Sequence, residues 1–260
     1  MKYLKSITAL LLLQGLISCG NNTAAKNSSG ETNTAAWKDN AVDASGSGSG
    51  YYYEMTINTH SARMNLTMLM KLFLSPDGKV RTEMTSSGLP GKAANDTTVM
   101  IGKANNPNES TSIDDAAKTY TVNKTDPGDI VPDEQLRSQA VKVGEEKIGD
   151  HTCVHAKITV SRNMGPLGEI ADTINIWRST EVPLPDQFKK WMDEFEKRTG
   201  NAMYSLATVK ELEQMGCTGF PVKLQFNGKT SQMVMKLTKT ARKDLPAALF
   251  EIPAGYKQEQ

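Results

Sequence analysis

The fold is decided by residues 220–240, which read FPVKLQFNGKTSQMVMKLTKT. Apolar residues occupy every second position from Phe220 to Phe226 and again from Met233 to Leu237. A period of two is typical of strands that bury one face. Asn227-Gly228 supplies the residue types that a two-residue hairpin turn requires. This stretch therefore predicts two antiparallel strands with their apolar side chains on a common face.

The same period occurs near the start of the folded region. Alternating apolar residues run from Tyr51 to Ile57 and from Met64 to Leu74, and Asp77-Gly78 then turns the chain into a strand at 79–84. Shorter or later strands are predicted at 98–101, 110–113, 119–122, 153–161 and 169–178. Antiparallel pairing of consecutive strands is the simplest arrangement for these runs.

Helices are predicted at three places. Residues 133–140 form a weak helix, and residues 204–215 form a second one that ends near Gly216. The clearest begins after Pro185-Asp186 and carries an apolar stripe consisting of Phe188, Trp191, Met192 and Phe195. We expect an α+β fold with a curved antiparallel sheet, or incomplete β-barrel, of roughly eight or nine strands. Two or three helices would pack on its concave side.

The composition excludes several classes of protein. The chain has 260 residues, a formal charge of +1, 38% hydrophobic residues and 6% aromatic residues. These values do not fit a basic nucleic-acid-binding protein, a disordered chain or a polytopic membrane protein. Three histidines leave little material for a metal held by imidazole. We therefore expect no nucleic-acid partner, no cofactor and no metal.

The N-terminus has the anatomy of a secretory signal. Lys2 and Lys5 precede an apolar run at 7–17, which is shorter than the roughly 20 residues that span a bilayer. Leu16-Ile17-Ser18-Cys19 resembles the bacterial lipoprotein box, and this resemblance implies cleavage after residue 18 and acylation of Cys19. Gly20, in place of an aspartate, then implies transfer to the outer membrane. We expect a lipid-anchored protein on its periplasmic face.

The domain boundaries follow from this anatomy. Residues 1–18 are the signal peptide, residues 19–50 are the lipidated cysteine with a linker, and residues 51–260 are one β-rich domain. The linker consists largely of Asn, Ser, Thr, Ala and Gly, a composition that cannot offset its ordering entropy by burial. Its root-mean-square reach as a flexible chain is about 30 Å.

Two cysteines remain in the domain. Cys153 and Cys217 are an even pair in an oxidising compartment, so a disulfide between them is one prediction. The alternative is two separate thiols, one or both buried. His151, Cys153 and His155 share one strand face, as metal ligands can, and the opposite face carries the apolar Val154, Ala156 and Ile158. We favour a solvated face without a metal.

Short motifs add a family resemblance. Phe250–Tyr256 at the carboxyl end resembles the closing signature of the domain of unknown function 4412 family. The segments that agree with it are Tyr51–Ile57, Ile148–Cys153, Ile176-Trp177 and Gly219–Lys223, so the resemblance covers residues 51–257. Such domains are similar to the lipoprotein carriers LolA and LolB. Their fold is an incomplete antiparallel barrel with helices that plug an apolar, acyl-accepting cavity. The resemblance implies an architecture, because none of the carriers' functional residues matches a particular position here.

The methionines on the apolar faces of the predicted strands suggest that the protein binds a ligand. The flexible thioether side chain suits irregular or interchangeable apolar ligands, although methionine also fills ordinary cores. The residues expected to line a cavity are Met55, Met64, Leu66, Met68, Met70, Ile158, Ile174, Ile176, Leu224, Met233, Met235, Trp191 and Phe195.

Three functions remain open at this stage. The leading hypothesis is a non-enzymatic lipoprotein that binds or carries lipid or acyl chains. The second is an envelope interaction module with a filled core, which would bind a protein partner through its surface. The weakest is a hydrolase, because the sequence has no Gly-x-Ser-x-Gly elbow, His-Glu-x-x-His helix or Rossmann fingerprint.

Overall fold

The computed structural model describes residues 49–62, 64–87, 96–124, 136–163, 169–189 and 206–259. The signal peptide, Cys19 and nearly all of the expected linker lie outside these ranges. The strands are β1 (Gly50–Ser61), β2 (Met64–Leu74), β3 (Lys79–Ser87), β4 (Asp96–Lys103), β5 (Asn106–Asp114), β6 (Thr119–Lys124), β7 (Leu136–Ile148), β8 (His151–Asn163), β9 (Glu169–Ser179), β10 (Phe220–Asn227), β11 (Ser231–Lys243) and β12 (Lys257–Gln258). Helical residues are 186–189 (α1), Leu206–Gln214 (α2) and the 3-10 turn Ala247–Phe250.

All twelve described strands form one sheet in the order β12-β6-β5-β4-β3-β2-β1-β11-β10-β9-β8-β7. Each neighbouring pair is antiparallel except β12 and β6, which run parallel. The count exceeds the eight or nine strands that we expected. Because β7 and β12 occupy opposite ends of this order, the described sheet is open.

The predicted strands are confirmed, and so is one of the two predicted turns. The β2 to β3 turn contains Gly78 at φ +83°, a conformation that glycine adopts without steric cost. The β10 to β11 turn is closed by a hydrogen bond of 2.9 Å from the Gly228 N–H to the Ser231 carbonyl. The β2 to β3 turn uses the predicted Asp77-Gly78, but the predicted two-residue turn at Asn227-Gly228 is wrong, because Asn227 still pairs with Gln232 and the loop between the strands is Gly228–Thr230.

The predicted helix at 133–140 is wrong for the part that the structure describes. Residues 136–140 begin β7, which continues to Ile148 and pairs with β8. β7 is an edge strand, and its alternation is weak because Ser138 and Ala140 occupy the face that is apolar in its neighbours. A strand with small or polar residues on its inner face has little of the period that sequence analysis detects.

The two other predicted helices begin as expected. α1 starts at 186, and Phe188 is buried there. Trp191, Met192 and Phe195 lie outside the described residues. α2 is followed by Gly216 at φ +77°, and its Leu212 is buried among residues of β7, β8 and β9. Packing of the helices on a concave side stays a prediction.

The face that carries Met55, Ile57 and Met68 is called the inner face, and the face that carries Tyr52 and Phe73 is called the outer face. Residues 244–259 form a strap from the end of β11 to the far edge of the sheet. Phe250 of the strap is buried against Tyr52 and Phe73. The strap then pairs with β6 through hydrogen bonds of 3.1 Å from the Lys257 N–H to the Lys118 carbonyl and 2.9 Å from the Glu259 N–H to the Tyr120 carbonyl.

Candidate functional site

The inner face is continuous across the four strands at the centre of the sheet. Leu224 of β10 opposes Met235 of β11, Met235 opposes Ile57 of β1, and Ile57 opposes Met68 of β2. Directly opposed residues on antiparallel strands hold their Cβ atoms about 4.5–5.5 Å apart on one face. These four side chains therefore form a row across the sheet, and every member of the row is apolar.

A neighbouring row contains Phe226, Met233, Thr59 and Leu66 in the same strand order. The apolar members of the two rows, with Met70, make the cluster that we call the methionine patch. Its members are Ile57, Leu66, Met68, Met233, Met70, Leu224, Phe226 and Met235. All of them lie on β1, β2, β10 or β11, whereas the other inner-face clusters include helix or loop residues.

Polar groups lie at one end of the patch, near the hairpin turns. The Lys229 N–H of the β10 to β11 turn donates to Asp172 Oδ1 at 3.3 Å. Behind this end, on the outer face, the Thr67 hydroxyl donates to Asn58 Oδ1 at 2.9 Å and His60 Nδ1 is hydrogen-bonded to Asn65 Oδ1. This end of the patch is therefore bordered by groups that can remain in contact with water.

The other end is closed by the segment that leads into α1. Val182 and Phe188 pack into a cluster that includes Met55, Tyr53 and Phe220. The Tyr53 hydroxyl donates to the Pro183 carbonyl, and its ring stacks on Phe220 at a centroid distance of 4.6 Å. Burial, followed by the neighbouring Tyr51, raises the pKa of Tyr53 above its usual range.

A third cluster lies on the inner face of β8 and β9. Ile158, Ile174 and Ile176 pack there with Leu212 of α2 and with Cys217. The Ala140 N–H donates to Glu211 Oε2 at 2.8 Å, so α2 also contacts the backbone of the edge strand β7. α2 therefore covers this end of the sheet.

The predicted cavity residues thus divide between clusters. The methionine patch contains Leu66, Met68, Met70, Leu224, Met233 and Met235. Met55 belongs to the cluster of Tyr53, and the three isoleucines belong to the cluster under α2. Met64 begins β2, but its side chain is outside the described set, as are Trp191 and Phe195. The sequence alternation identified the face correctly and did not divide it into clusters.

Both domain cysteines are buried free thiols, so the expected disulfide is absent from this structure. Cys153 belongs to the cluster of Tyr53, and Cys217 belongs to the cluster under α2. The Cys217 thiol donates to the Val154 carbonyl at 3.6 Å, whereas the Cys153 thiol donates to the His151 carbonyl at 3.5 Å. Burial is the main reason that the pKa of each thiol is raised, and this makes the thiols less reactive.

A polar cluster that the sequence did not indicate surrounds Trp177, a buried member of the cluster of Tyr53. Trp177 stacks on His155 at a centroid distance of 4.1 Å, and the Lys223 ammonium lies 4.1 Å from the Trp177 ring centroid. Glu146 accepts a hydrogen bond from Trp177 Nε1 and lies 3.2 Å from His155 Nδ1. We missed this cluster because Glu146 lies on β7, the strand that we predicted as part helix.

The expected solvated face at His151, Cys153 and His155 is wrong, because Cys153 is buried in the cluster of Tyr53 and His155 is half-buried beside Trp177. His155 Nε2 is within 3.1 Å of Asn175 Oδ1, and its other nitrogen faces Glu146. Among the described residues, no group of three or more His, Cys, Asp or Glu is placed to hold a metal ion. No helix in the described part combines the length and apolar character needed to cross a bilayer.

Comparison with known families identifies the domain. The model of a domain of unknown function, DUF4412, matches residues 53–256. The chain belongs to the DUF4412 family. This confirms the resemblance, whose expected limits were 51 and 257, and the match extends from β1 into the strap. No curated protein sequence matches the chain.

Solved structures similar to this DUF4412 chain come from bacterial proteins. A LolA superfamily protein of Nitrosomonas europaea has 9% identity and a TM-score of 0.32, over 78% of this chain and 90% of that one. LprF of Mycobacterium bovis has 10% identity and a TM-score of 0.35, with coverages of 80% and 90%. The MucA/MucB complex of Pseudomonas aeruginosa has 14% identity and a TM-score of 0.38, with coverages of 80% and 56%.

Proposed function

We propose that the protein is a non-enzymatic, lipid-anchored envelope protein that binds or carries an acyl chain at the methionine patch. The observation that carries this proposal is the patch itself. It is a continuous apolar surface contributed by four adjacent strands, and none of its members comes from a helix or loop. An apolar face of this kind can contact a hydrocarbon chain along its length.

The chemistry of the patch favours an acyl ligand over a rigid one. Met68, Met70, Met233 and Met235 are unbranched, so their side chains can change rotamer and fit chains of different length. Each methylene that an acyl chain buries contributes about 0.8 kcal/mol. The polar groups near the hairpin turns would leave a headgroup in contact with water.

The anchor is proposed from the N-terminal sequence. Acylation of Cys19 with two or three chains would attach the protein lastingly, since each chain adds about 0.8 kcal/mol per buried methylene. We place the protein at the periplasmic face of the outer membrane, on the basis of Gly20. A Cys19→Ser variant is expected to lose palmitate labelling and to leave the membrane fraction. Labelling that survives this change would contradict the proposed anchor.

The ligand is tested by native mass spectrometry of the mature protein, released from detergent after purification from envelopes. We expect co-purified lipid, or uptake of added fatty acid, and we expect a Met68→Gln variant to reduce both. Met68→Gln keeps side-chain length and adds polarity to the patch. Met100→Gln on β4, outside the patch, is the matched control and should bind as the unmodified chain does. Absence of lipid together with no uptake of fatty acid would contradict the proposal.

A second candidate is an envelope module with a filled core that binds another protein through its surface. It is favoured by burial, because Ile57, Leu66, Met68 and Met233 are only 0–8% exposed. A filled core predicts that Met68→Gln lowers stability without a change in bound lipid. The same pair of variants therefore separates the two candidates.

A further inference from the structure

Three methionines are directly opposed on adjacent strands of the inner face. Met55 of β1 opposes Met70 of β2, and Met70 opposes Met84 of β3. We call these three residues the thioether row. The residues that continue the row on either side are Leu237 and Thr98, so sulfur occupies three consecutive positions across the sheet.

The spacing of the row brings the three thioethers within reach of one point. Directly opposed residues have Cβ atoms about 4.5–5.5 Å apart. Met70 is the central member, and its sulfur can approach that of either neighbour because each side chain is unbranched and has several rotatable bonds. The row therefore allows three sulfur atoms to converge above the middle strand.

The thioether row is mostly buried, but one of its three side chains is partly exposed to solvent. Met55 and Met84 are buried, whereas Met70 is half-buried. Met70 also packs against two core clusters, that of Tyr53 and the methionine patch. The row thus lies where two clusters meet. An ion would reach it beside Met70, because Met70 is the partly exposed member.

The ligand chemistry of a thioether row is selective. Thioether sulfur is a soft, neutral donor that suits cuprous copper, whereas calcium, magnesium and manganese prefer oxygen donors. A thioether has no proton to lose, so its capacity to bind does not depend on pH in the way that thiol or imidazole binding does. The described residues also provide no competing group of three His, Cys, Asp or Glu.

We propose that the thioether row is a binding site for a soft monovalent metal ion, Cu(I). Three neutral sulfur donors leave the charge of the ion unchanged, which fits a single monovalent ion better than a divalent one on an apolar face. The row shares Met70 with the methionine patch, but ion binding also uses Met55 and Met84, which lie outside the patch, so silver binding and lipid binding are tested separately.

Silver is the probe, because Ag(I) is soft, monovalent and redox-inert. The full chain is labelled with carbon-13 at the methionine methyl groups and titrated with silver nitrate in chloride-free buffer. The titration continues past the two equivalents that the domain thiols can take up. We expect the methyl resonances of Met55, Met70 and Met84 to shift together and that of Met215, outside the inner-face row, to stay in place.

Two conservative variants decide the assignment. Met70→Leu keeps the volume and removes the central sulfur, and it is expected to weaken silver binding by about tenfold or more, as loss of a site-defining group does. Met215→Leu, outside both the row and the methionine patch, should leave the affinity unchanged. If Met70→Leu does not fold, as judged by circular dichroism, Met84→Leu replaces it. The proposal is overturned if the row methyls do not shift, or if both variants bind silver equally.

Discussion

Tyr53 shows how burial changes the pKa of a single side chain. Its hydroxyl donates to the Pro183 carbonyl, and burial raises its pKa above the ordinary value of about 10. Below pH 10, the native and unfolded states both keep the proton, so the free energy of unfolding does not depend on Tyr53 titration. Above that pH the unfolded chain loses the proton first, and the native state is destabilised as pH rises.

We therefore expect Tyr53→Phe to flatten the loss of stability at alkaline pH. The unmodified chain should lose up to about 1.4 kcal/mol per pH unit above pH 10 from this group, and the variant should lose correspondingly less. At pH 7 the variant should cost about 1 kcal/mol, from the lost hydrogen bond. Urea unfolding between pH 7 and 11 measures both effects. Equal alkaline slopes for the two chains would show that Tyr53 titrates normally.

The two domain thiols give a second residue-scale prediction. Cys153 and Cys217 are buried and their pKa values are raised, so we expect both to react with Ellman's reagent only after denaturation. The assay is made on non-reduced protein, and the proposed acylation of Cys19 would leave that residue without a free thiol. Two thiols should appear in denaturant. If no thiol appears in denaturant, Cys153 and Cys217 are joined by the disulfide that the cysteine count suggested. That result would contradict the two free thiols described here.

At the scale of elements, Gly219 fixes the entry to β10. It has φ +88°, and a Cβ atom built on it would lie 2.3 Å from the Ser179 carbonyl oxygen on β9. Because that oxygen belongs to the backbone of a strand that pairs at Phe220, it has little freedom to move. A side chain at 219 would therefore combine backbone strain with a steric clash.

Gly219→Ala is expected to lower the free energy of unfolding by more than about 2 kcal/mol. Two glycines provide matched controls. Gly216→Ala has a positive φ but open space around the built Cβ, so it should cost about 1–2 kcal/mol. Gly144→Ala meets nothing within 4 Å and has no positive φ, so it should stay within about 0.5 kcal/mol. Chemical denaturation of the three variants ranks their free energies of unfolding. Equal losses for Gly219→Ala and Gly216→Ala would show that the clash with Ser179 does not contribute.

The edge strand β7 shows why some elements escaped sequence analysis. The hairpins of β2–β3 and β10–β11 were predictable, because each has regular alternation and a turn with glycine. β7 instead carries Val141 and Val143, 48% and 56% exposed, with Ala140 toward the core. Its identity as a strand depends on pairing with β8 and on contact with Glu211 of α2. Those partners are distant in sequence, so a local pattern does not reveal them.

The candidate site was predictable to a similar extent. Alternation placed Met68, Leu224 and Met233 on one face, and the structure joins them in the methionine patch. The division of the face into clusters depends on Val182, Phe188 and Leu212, which belong to loops and helices. The pairing of β1 with β11, which sets Ile57 opposite Met235, was also outside the reach of a local pattern.

At the scale of the whole molecule, the strap connects the centre of the sheet with its far edge. Phe250 is its main apolar contact, because it is buried against Tyr52 and Phe73. Arg81 Nη1 donates to the Leu249 carbonyl at 3.0 Å and adds a polar contact beside it. Loss of the phenylalanine ring should therefore loosen the strap from β1, β2 and β3 together.

Phe250→Ala is expected to lower the free energy of unfolding by about 3–5 kcal/mol, the range for a buried phenylalanine. Ile252→Ala, two residues further along the strap, is the control. Ile252 is 37% exposed, so its substitution should lower the free energy of unfolding much less. Hydrogen exchange should show faster exchange at the Lys257 and Glu259 amides in the Phe250 variant. Unchanged protection there would mean that the strap is held by its β6 contacts alone.

The pairing of β1 with β11 sets the order in which the protein can fold. The first strand of the domain needs the penultimate one as a neighbour, so β1 must wait for almost the entire domain to emerge before its second edge is covered. Contacts so distant along the chain slow folding and leave apolar edges open to aggregation in the meantime. For the lipid-anchored protein proposed above, export before folding would postpone this hazard until after translocation, and the apolar edges would stay uncovered until the last hairpin arrives.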